Sequence, residues 1–298
     1  MDISKLALLC DIADTKNLTA SADRMGYTQS GVSHAISKLE AELGVTIFRR
    51  TKRGVELTSD GQTLLPYIKL VVSHYNRMDE ILDSILGLQR GSLCIGTYCS
   101  IASQWLPAII QKFQQLYPSI SIHIKEGGMQ EIEQWLSEGR IDFGFLSWRK
   151  KQNYRFISLA RDPLYAITAK NFSLPDAYQT TFPLSAFSYY PFIASESGVD
   201  YDVARAMEEA DATPDVSFHC RDDHTIIPMV ANNLGVSLLP AMFLKEYNNI
   251  RKIPVSPCTV RTLGIGFLSE QTLSTSAKAF IRLSRKMVKE MSEEKKSA

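Results

Sequence analysis

The residues best suited to read DNA bases lie between positions 28 and 38. Hydroxyl, amide, imidazole and amino groups cluster there, on Thr28, Gln29, Ser30, Ser33, His34 and Lys38. Groups of this kind form hydrogen bonds with base edges in the major groove or contact phosphate oxygens. We therefore predict that these six side chains form a DNA-binding surface.

A cluster of cations follows this surface. Four cations and a turn glycine stand within six residues, namely Arg49, Arg50, Lys52, Arg53 and Gly54. The cluster lies between two short β-prone runs, 45–48 and 55–57, so a hairpin with a cationic tip is expected. Such a tip suits phosphate oxygens, and we predict that Arg50, Lys52 and Arg53 contact the DNA backbone.

Two short helices must position the base-reading residues. Thr19 is a favourable N-cap for the first helix, and Gly26 stands where a left-handed C-cap is wanted. Thr28 can cap the second helix, whose apolar residues recur at helical spacing as Val32, Ala35, Ile36, Leu39 and Leu43. Two such helices followed by a cationic hairpin indicate a winged helix-turn-helix. A plain helical hairpin with a solvated polar face is the alternative.

The run from Tyr27 to Gly61 resembles the N-terminal signature of LysR-type transcriptional regulators. It reads YTQSGVSHAISKLEAELGVTIFRRTKRGVELTSDG. The resemblance is dense over residues 1–61 and looser up to about residue 285. It implies an α+β multidomain protein with a winged helix-turn-helix at 1–58, a linker helix at 59–89 and a two-lobed α/β effector-binding domain at 90–298. That last domain resembles type 2 periplasmic binding proteins, with lobe I at about 90–163 and 267–298 and lobe II at about 164–266.

The linker segment carries a regular apolar stripe. Its members are separated by four and three residues in turn, as Leu64, Ile68, Val71, Tyr75, Met78, Leu82 and Ile85. This is a heptad seam, which predicts a dimerisation helix. Packing against the protein's own second domain is the alternative. Pro66 lies inside the helix and should kink it or loosen its first turns. The resemblance implies a homodimer, and a tetramer built as a dimer of dimers.

Strands alternate with helices after residue 90. We expect strands at 93–96, 120–124, 141–146, 191–193, 235–240 and 263–268, and helices at 105–117, 132–136, 200–210, 225–232 and 275–291. Crossover helices between strands predict a parallel sheet covered on both faces. The 200–210 helix is expected to be exposed and acidic, the strand at 263–268 to cross back to the first lobe, and the tail at 292–298 to fray.

Ligands of open α/β sheets bind beyond the carboxyl ends of the strands. Polar, small or aromatic residues stand at the ends of four expected strands. They are Thr97, Tyr98 and Ser100 at the first, Glu126, Gly127, Gly128 and Met129 at the second, Ser147 and Trp148 at the third, and Ser195 at the fourth. By resemblance these positions line the family's effector cleft. Met129 stands where the family often has Ser or Thr to help hold a carboxylate. Together with Tyr98 and Trp148, it predicts a less polar effector.

Composition restricts the choice of function. The 298 residues carry a net charge of +1, with 45% hydrophobic and 22% charged residues, as is ordinary for a globular protein. Residues 1–60 contain eight Lys or Arg and eight Asp or Glu, so DNA affinity must come from local placement of charge. No run of 18 apolar residues predicts a membrane span, and residues 1–14 lack the features of a signal peptide. We therefore expect a cytoplasmic protein without a membrane partner.

Several alternatives remain at this stage. Five cysteines without a CxxC motif make a zinc site unfavourable, although a redox-sensing cysteine pair is an alternative. The run HCRDDH at 219–224 is either a metal or acid–base site or, more simply, a solvated turn that caps the next helix. A two-lobed solute-binding protein or enzyme would leave the first 90 residues unexplained, and a nucleoid-type binder would leave the two lobes unexplained.

These considerations favour a regulator that is not an enzyme. We predict a sequence-specific transcription regulator of the LysR type that needs no cofactor and senses a small-molecule effector between the two lobes. The expected partners are double-stranded promoter DNA, the effector, further copies of the chain and RNA polymerase.

Overall fold

A computed structural model describes residues 2–51, 54–85, 91–195, 201–221 and 223–297. The chain divides into two compact units. The first unit comprises Met1–Gly91 with Ser137–Ile141, and the second comprises Ser92–Leu136 with Asp142–Ala298. The predicted fold class is confirmed, because a winged helix-turn-helix and a long helix precede a mixed α/β domain.

The first unit is built from helices and one hairpin. In chain order its elements are α1 (Ile3–Thr15), α2 (Leu18–Met25), α3 (Gln29–Leu43), β1 (Phe48–Thr51), β2 (Gly54–Leu57) and α4 (Ser59–Ile85). Strands β1 and β2 pair antiparallel, with Arg50 opposite Val55. This hairpin is the predicted wing. The end of the predicted linker helix, from residue 86 to about 88, lies outside the described residues.

Polar caps set where the helices of the first unit begin. Thr28 Oγ1 accepts a hydrogen bond from the Gly31 amide at 3.1 Å, as predicted. Gly26 ends α2 with φ +72°, a left-handed conformation that glycine adopts without strain. The prediction that Thr19 caps α2 is wrong. The cap is Asn17, whose Oδ1 accepts from the Thr19 and Ala20 amides, because Asn17 has the extended backbone that a cap residue needs.

The hydrophobic core of the first unit includes the start of α4. Its buried members are Leu6, Leu8, Leu9, Ile12, Ala22, Val32, Ile36, Leu39, Ile47, Val55 and Ile68, with Leu64, Leu65 and Val72 packed against them. Helix α4 continues through Pro66 to Ile85. Lys69, which is 9% exposed, donates to Asp14 Oδ1 at 3.0 Å and so ties α4 to α1. The first half of α4 therefore belongs to the core of the first unit.

The second unit alternates strands with helices. Its elements are β3 (Gly91–Thr97), α5 (Cys99–Gln104), α6 (Leu106–Leu116), β4 (Ile120–Glu126), α7 (Met129–Ser137), β5 (Phe143–Ser147), β6 (Arg155–Ala169), β7 (Phe182–Pro183), β8 (Pro191–Ser195), α8 (Tyr201–Glu209), β9 (Asp215–Cys220), α9 (Asp223–Ala231), β10 (Ser237–Pro240), β11 (Ile250–Ser256), β12 (Val260–Phe267) and α10 (Thr275–Ser297). Two short 3-10 helices, Asp176–Tyr178 and Leu184–Tyr189, flank β7.

The main sheet is mixed rather than parallel. Its order is β4-β3-β5-β12-β6-β11-β7, with β10 also paired to β6. Strands β3 and β5 are parallel, as expected, but β12 runs antiparallel to both β5 and β6. The expectation of a purely parallel sheet was wrong because β6 and β12 are two long strands that run in opposite directions. Strands β8 and β9 form a separate parallel pair.

Three helices differ from their expected form. The helix expected at 105–117 is preceded by a separate short helix, α5, and the buried Trp105 lies at the junction. Helix α8 is not simply exposed, since Asp202 is 2% exposed and Ala206 and Met207 are buried. The expected frayed tail is helical, because α10 continues to Ser297.

Candidate DNA interface and effector cleft

Helix α3 separates a buried apolar face from a polar face. Val32, Ile36 and Leu39 are buried in the core. The predicted base-reading residues lie on the other side, with Ser33 half-buried and the remainder exposed, namely Thr28, Gln29, Ser30, His34 and Lys38. The amphipathic spacing therefore leaves a row of short hydrogen-bonding groups at the surface, which is the arrangement that a groove-reading helix needs.

One wing cation lies against the reading helix. The Arg50 guanidinium on β1 donates to Ser33 Oγ at 2.5 Å. The neighbouring Arg49 instead pairs with Glu56 on β2, at 2.9 Å between Nη2 and Oε2. The structure thus gives the two arginines different surroundings, one beside the base-reading surface and the other neutralised within the hairpin. Lys52 and Arg53, also predicted to bind DNA, lie outside the described residues.

Different effects are expected for these two arginines. Arg50→Ala should weaken binding to specific and random DNA alike and lower the slope of log affinity against log salt by about one, the value for one lost phosphate contact. Arg49→Ala should have a smaller effect, because Glu56 already offsets its charge. Fluorescence anisotropy titrations at several salt concentrations would measure both slopes. Equal slopes for the two variants would contradict this assignment.

The second unit contains a cleft with a volume of about 310 Å³. It is lined by Tyr98, Cys99, Ser100, Glu126, Gly127, Gly128, Glu131, Arg221, Asp223, Phe243 and Arg261. These residues come from the segments that follow β3, β4, β9 and β10, from the last residue of β4 and from β12 itself. Tyr98 and Ser100 are the predicted effector residues that line the cleft.

A buried ion pair lies at one wall of this cleft. Arg261, which is 3% exposed, contacts Asp162 Oδ2 through Nε at 2.9 Å and Nη2 at 2.8 Å. The same Nη2 donates to Ser100 Oγ at 3.0 Å. Asp162 Oδ1 accepts from the Met242 amide at 3.0 Å, so both of its oxygens are engaged. Charge, hydrogen bonds and burial therefore fix the Ser100 hydroxyl in place within the wall of the cleft.

Carboxylates occupy other parts of the lining. Asp223, the first residue of α9, accepts from the Ser195 hydroxyl at 2.6 Å. Glu131 Oε2 accepts from the Gly128 amide at 3.0 Å, next to the start of α7. Arg221 Nη2 lies 3.9 Å from the other oxygen of Glu131, a loose and exposed pair. The cleft therefore presents both signs of charge.

The remaining predicted effector residues lie away from the surface of the cleft. Thr97 is buried and donates to the Tyr98 carbonyl at 3.0 Å, and the Met129 sulfur accepts from the Tyr98 hydroxyl at 3.5 Å. Ser147 is buried and hydrogen-bonded to Asp202. Trp148 is 49% exposed and is not part of the lining. Thr97 and Met129 thus support Tyr98 from behind, and Ser195 reaches the cleft through Asp223.

Sequence reasoning assigned to the effector cleft none of its lining residues from the second half of the unit. Arg221, Asp223, Phe243 and Arg261 all come from the second half of the unit, where they follow or belong to β9, β10 and β12. Arg261 is brought to Ser100 across 161 positions of the sequence, so no local motif marks it. A single charged residue in an apolar strand, such as Arg261 between Val260 and Leu263, was the one usable signal.

The sulfur and histidine groups do not form a recognisable reactive site. No disulfide joins any of the five cysteines, all of which the structure describes. Burial raises the pKa of the Cys10 thiol to about 11, so this group stays protonated and poorly nucleophilic near neutral pH. Asp222 of the HCRDDH run lies outside the described residues. Among the residues that the structure describes, no group of His, Cys, Asp and Glu is arranged to hold a metal ion.

Comparisons with known families and proteins agree along the chain. The model of the bacterial regulatory helix-turn-helix protein, lysR family, matches residues 3–62, and the model of the LysR substrate binding domain matches residues 86–289. The probable HTH-type transcriptional regulator LrrA of Synechococcus elongatus is 30% identical over 245 residues, covering 81% of this chain and 82% of LrrA. The uncharacterized HTH-type transcriptional regulator YvbU of Bacillus subtilis is 28% identical, covering 96% of this chain and 99% of YvbU.

Solved structures share the fold over nearly the whole chain. A full-length single-residue variant of OxyR from Pseudomonas aeruginosa superposes with a TM-score of 0.74 at 21% identity, covering 97% of this chain and 94% of that protein. Full-length CbnR complexed with its target DNA gives a TM-score of 0.66 at 18% identity, covering 96% of this chain and 99% of CbnR.

Within the described part of this chain, no helix has the length and apolar content that a membrane span requires.

Proposed function

The chain belongs to the LysR family of transcriptional regulators, and from this premise we propose that a small molecule bound beside Ser100 and Arg261 controls its activity. The family membership makes it a DNA-binding regulator with an effector-binding domain and not an enzyme. The observation that carries the proposal is the buried Arg261–Asp162 pair, which holds the Ser100 hydroxyl in the wall of a cleft of about 310 Å³.

Each proposed role belongs to a separate segment of the chain. Residues 1–58 bind double-stranded promoter DNA, residues 59–89 pair two subunits and residues 90–298 bind the effector. Bases are read by Gln29, Ser30, Ser33 and His34, while Arg50 and the wing contact phosphates. We further propose that the protein acts in the cytoplasm and transmits its signal to RNA polymerase.

Subunit pairing is proposed to use the second half of α4. Four apolar side chains of the heptad seam are 39–49% exposed in the single chain, namely Val71, Tyr75, Met78 and Leu82. Apolar residues repeated at this spacing gain stability by packing into the same stripe of a second helix. A homodimer formed in this way places two reading helices for a site with two-fold symmetry, and two such dimers make the proposed tetramer.

Control requires that the effector prefers one arrangement of the protein. A ligand shifts an equilibrium only by the difference in its affinity for the two states. A coupling free energy of about 1–3 kcal/mol changes DNA affinity by roughly 5- to 150-fold. Because coupling is reciprocal, operator DNA must change the affinity for the effector by the same factor.

Ser100→Ala tests this function. The variant should abolish the effect of a ligand on DNA affinity and leave ligand-free DNA binding intact, because the substitution leaves the wing and α3 unchanged. The ligand is chosen from a metabolite panel as the compound that raises the Tm of the wild-type protein. Calorimetric titration with and without operator then gives the coupling for both proteins.

The matched control is Ser103→Ala. Ser103 is exposed one turn further along α5 and donates to the Cys99 and Ser100 carbonyls, so its loss alters the same helix at a residue that is not itself part of the cleft lining. It should retain wild-type coupling. A Ser100→Ala variant that binds the ligand as tightly as wild type would remove Ser100 from the effector site.

A further inference from the structure

We propose that the effector is a small zwitterion, with a carboxylate held at the Ser100 wall and an ammonium group held by the acidic part of the lining. An α-amino acid with an apolar side chain is the simplest molecule of this class. This inference rests on the proposed function, since it concerns the ligand of the same cleft. It is carried by the position of hydrogen-bond donors and carboxylates around the cavity.

The Ser100 wall offers a donor to the ligand. A serine hydroxyl has one proton and two lone pairs, and an arginine can only donate. Arg261 Nη2 donates to Ser100 Oγ at 3.0 Å, so the hydroxyl accepts in this contact and keeps its proton for an acceptor. Ser100 is one of the residues that line the cleft, and it is fully buried. A carboxylate oxygen is an acceptor that fits this position.

The charge of Arg261 is already offset. Its Nε and Nη2 both contact the same oxygen of Asp162, at 2.9 and 2.8 Å, and both groups are buried. A lone arginine in a cleft favours a purely anionic ligand, whereas this pair contributes hydrogen-bond donors with little net positive charge. A purely anionic ligand would therefore form hydrogen bonds with these donors, but its negative charge would meet little net positive charge.

The rest of the lining is acidic. Glu126, Glu131 and Asp223 face one further cation, Arg221. With Asp162 behind Arg261, the residues that the structure describes here set two guanidinium groups against four carboxylates, an excess of two negative charges. This excess opposes the entry of simple carboxylates and attracts an ammonium group, so a ligand that carries both charges suits the cleft.

Two of these carboxylates lie at helix starts, where an anion is stabilised. Glu131 accepts from the Gly128 amide at the start of α7, and Asp223 is the first residue of α9. The Gly128 amide is therefore already satisfied by Glu131 and does not serve a ligand phosphate or carboxylate. Asp223 is half-buried, as is Glu131, but only Asp223 has its orientation fixed by a hydroxyl donor, Ser195, at 2.6 Å. We assign the ammonium contact to Asp223.

Size and aromatic surface define the remainder of the ligand. A cavity of about 310 Å³ is at the small end of the range for ligand sites. The rings of Tyr98 and Phe243 form apolar parts of its lining. An apolar side chain of the ligand would bury against these rings, in keeping with the less polar effector expected from Met129.

The test uses the full-length protein and matched probes. Each of the twenty L-amino acids is added at millimolar concentration in a thermal-shift assay. Calorimetry then compares leucine and phenylalanine with their analogues that lack the amino group, 4-methylpentanoate and 3-phenylpropanoate. It also includes the analogues without a carboxylate, isoamylamine and phenethylamine. We expect at least one amino acid to bind at least tenfold more tightly than both of its analogues, because each analogue loses one charge-assisted contact.

Variants assign the two ends of the ligand. Asp223→Asn should lower amino-acid affinity at least tenfold while leaving the affinity for the analogue without an amino group unchanged or higher. Ser100→Ala should lower both affinities. Asp215→Asn is the matched control, since Asp215 is an exposed residue at the start of β9, outside the lining, and its replacement should change neither affinity.

Separate outcomes overturn the zwitterion and the cleft. If no amino acid binds, or an analogue without an amino group binds as tightly as its amino acid, the zwitterion proposal is overturned. If a simple carboxylate binds and Ser100→Ala still abolishes its binding, the proposed effector cleft stands without the zwitterion. If an amino acid binds with unchanged affinity to both Ser100→Ala and Asp223→Asn, its site is elsewhere, and both proposals are overturned.

Discussion

Arg261→Met should lower the free energy of unfolding of the second unit by about 3–5 kcal/mol, the usual effect of leaving a buried charge without its partner. The substitution strands the Asp162 carboxylate, which is 5% exposed, and removes the donor to Ser100. The double variant Asp162→Asn/Arg261→Met should recover much of this loss, because it removes the unpaired charge while keeping the volume of the side chains. Urea denaturation followed by circular dichroism would measure all three proteins.

Glu290→Gln supplies the control for that experiment. Glu290 pairs with Lys286 on α10 at 3.8 Å, with both side chains more than half exposed. Exposed pairs of this kind contribute about 0–1 kcal/mol, so the midpoint of unfolding should barely move. A single Arg261→Met variant that is as stable as Glu290→Gln would contradict this prediction, because the buried pair would then contribute no more than an exposed one.

Replacing both Val71 and Met78 by Asp should convert the proposed homodimer to monomers at micromolar concentration. The two side chains lie one heptad apart on the seam and are 47% and 49% exposed in the single chain. In a paired seam each Asp would bury an ionised carboxylate against apolar groups, which costs several kcal/mol per group. Loss of the dimer should also reduce affinity for a two-fold operator by at least about a hundredfold, because each monomer then binds one half-site.

Tyr67→Asp is the control that distinguishes the heptad seam from the rest of α4. Tyr67 lies on α4, is 66% exposed and falls outside the heptad positions. Its replacement adds one of the same carboxylates to the same helix and should leave the sedimentation coefficient unchanged. Monomers formed by Tyr67→Asp alone, or an unchanged mass for the double variant on the seam, would assign subunit pairing to another surface.

The DNA-binding half was predictable because its signals are local. The caps Asp2, Thr28 and Thr58 each stand within three residues of the amide that they accept from. The buried stripe of α3 follows from helical spacing alone. Asn17 was missed because two polar residues near the helix start compete for the cap, and the backbone of the preceding turn decides between them. The contact between Arg50 and Ser33 was missed because it spans 17 positions between two elements.

The cleft was only half predictable, for a topological reason. The rule that ligands sit at strand ends found Tyr98 and Ser100, which follow β3 directly. It could not find Arg261, because that residue enters the cleft from the body of β12, whose pairing with β6 brings it to Asp162, 99 positions away. The same rule placed Ser147 in the cleft, but the Ser147 hydroxyl is hydrogen-bonded to the buried Asp202 instead. Side chains that pair across distant strands leave no periodic signal in the sequence.

The packing of α4 bears on how this protein can be cut and recombined. Ile68 is buried in the core of the DNA-binding unit, with Leu64, Leu65 and Val72 packed around it. A fragment that stops at residue 58 would expose this core to water and is expected to aggregate. A chimera that carries this DNA-binding unit should keep the native helix through Val72. Its junction should lie on the solvent-exposed turns beyond that residue. Each residue added to or removed from the helix at that junction rotates the DNA-binding unit by about 100° about the helix axis, relative to any new sensor domain.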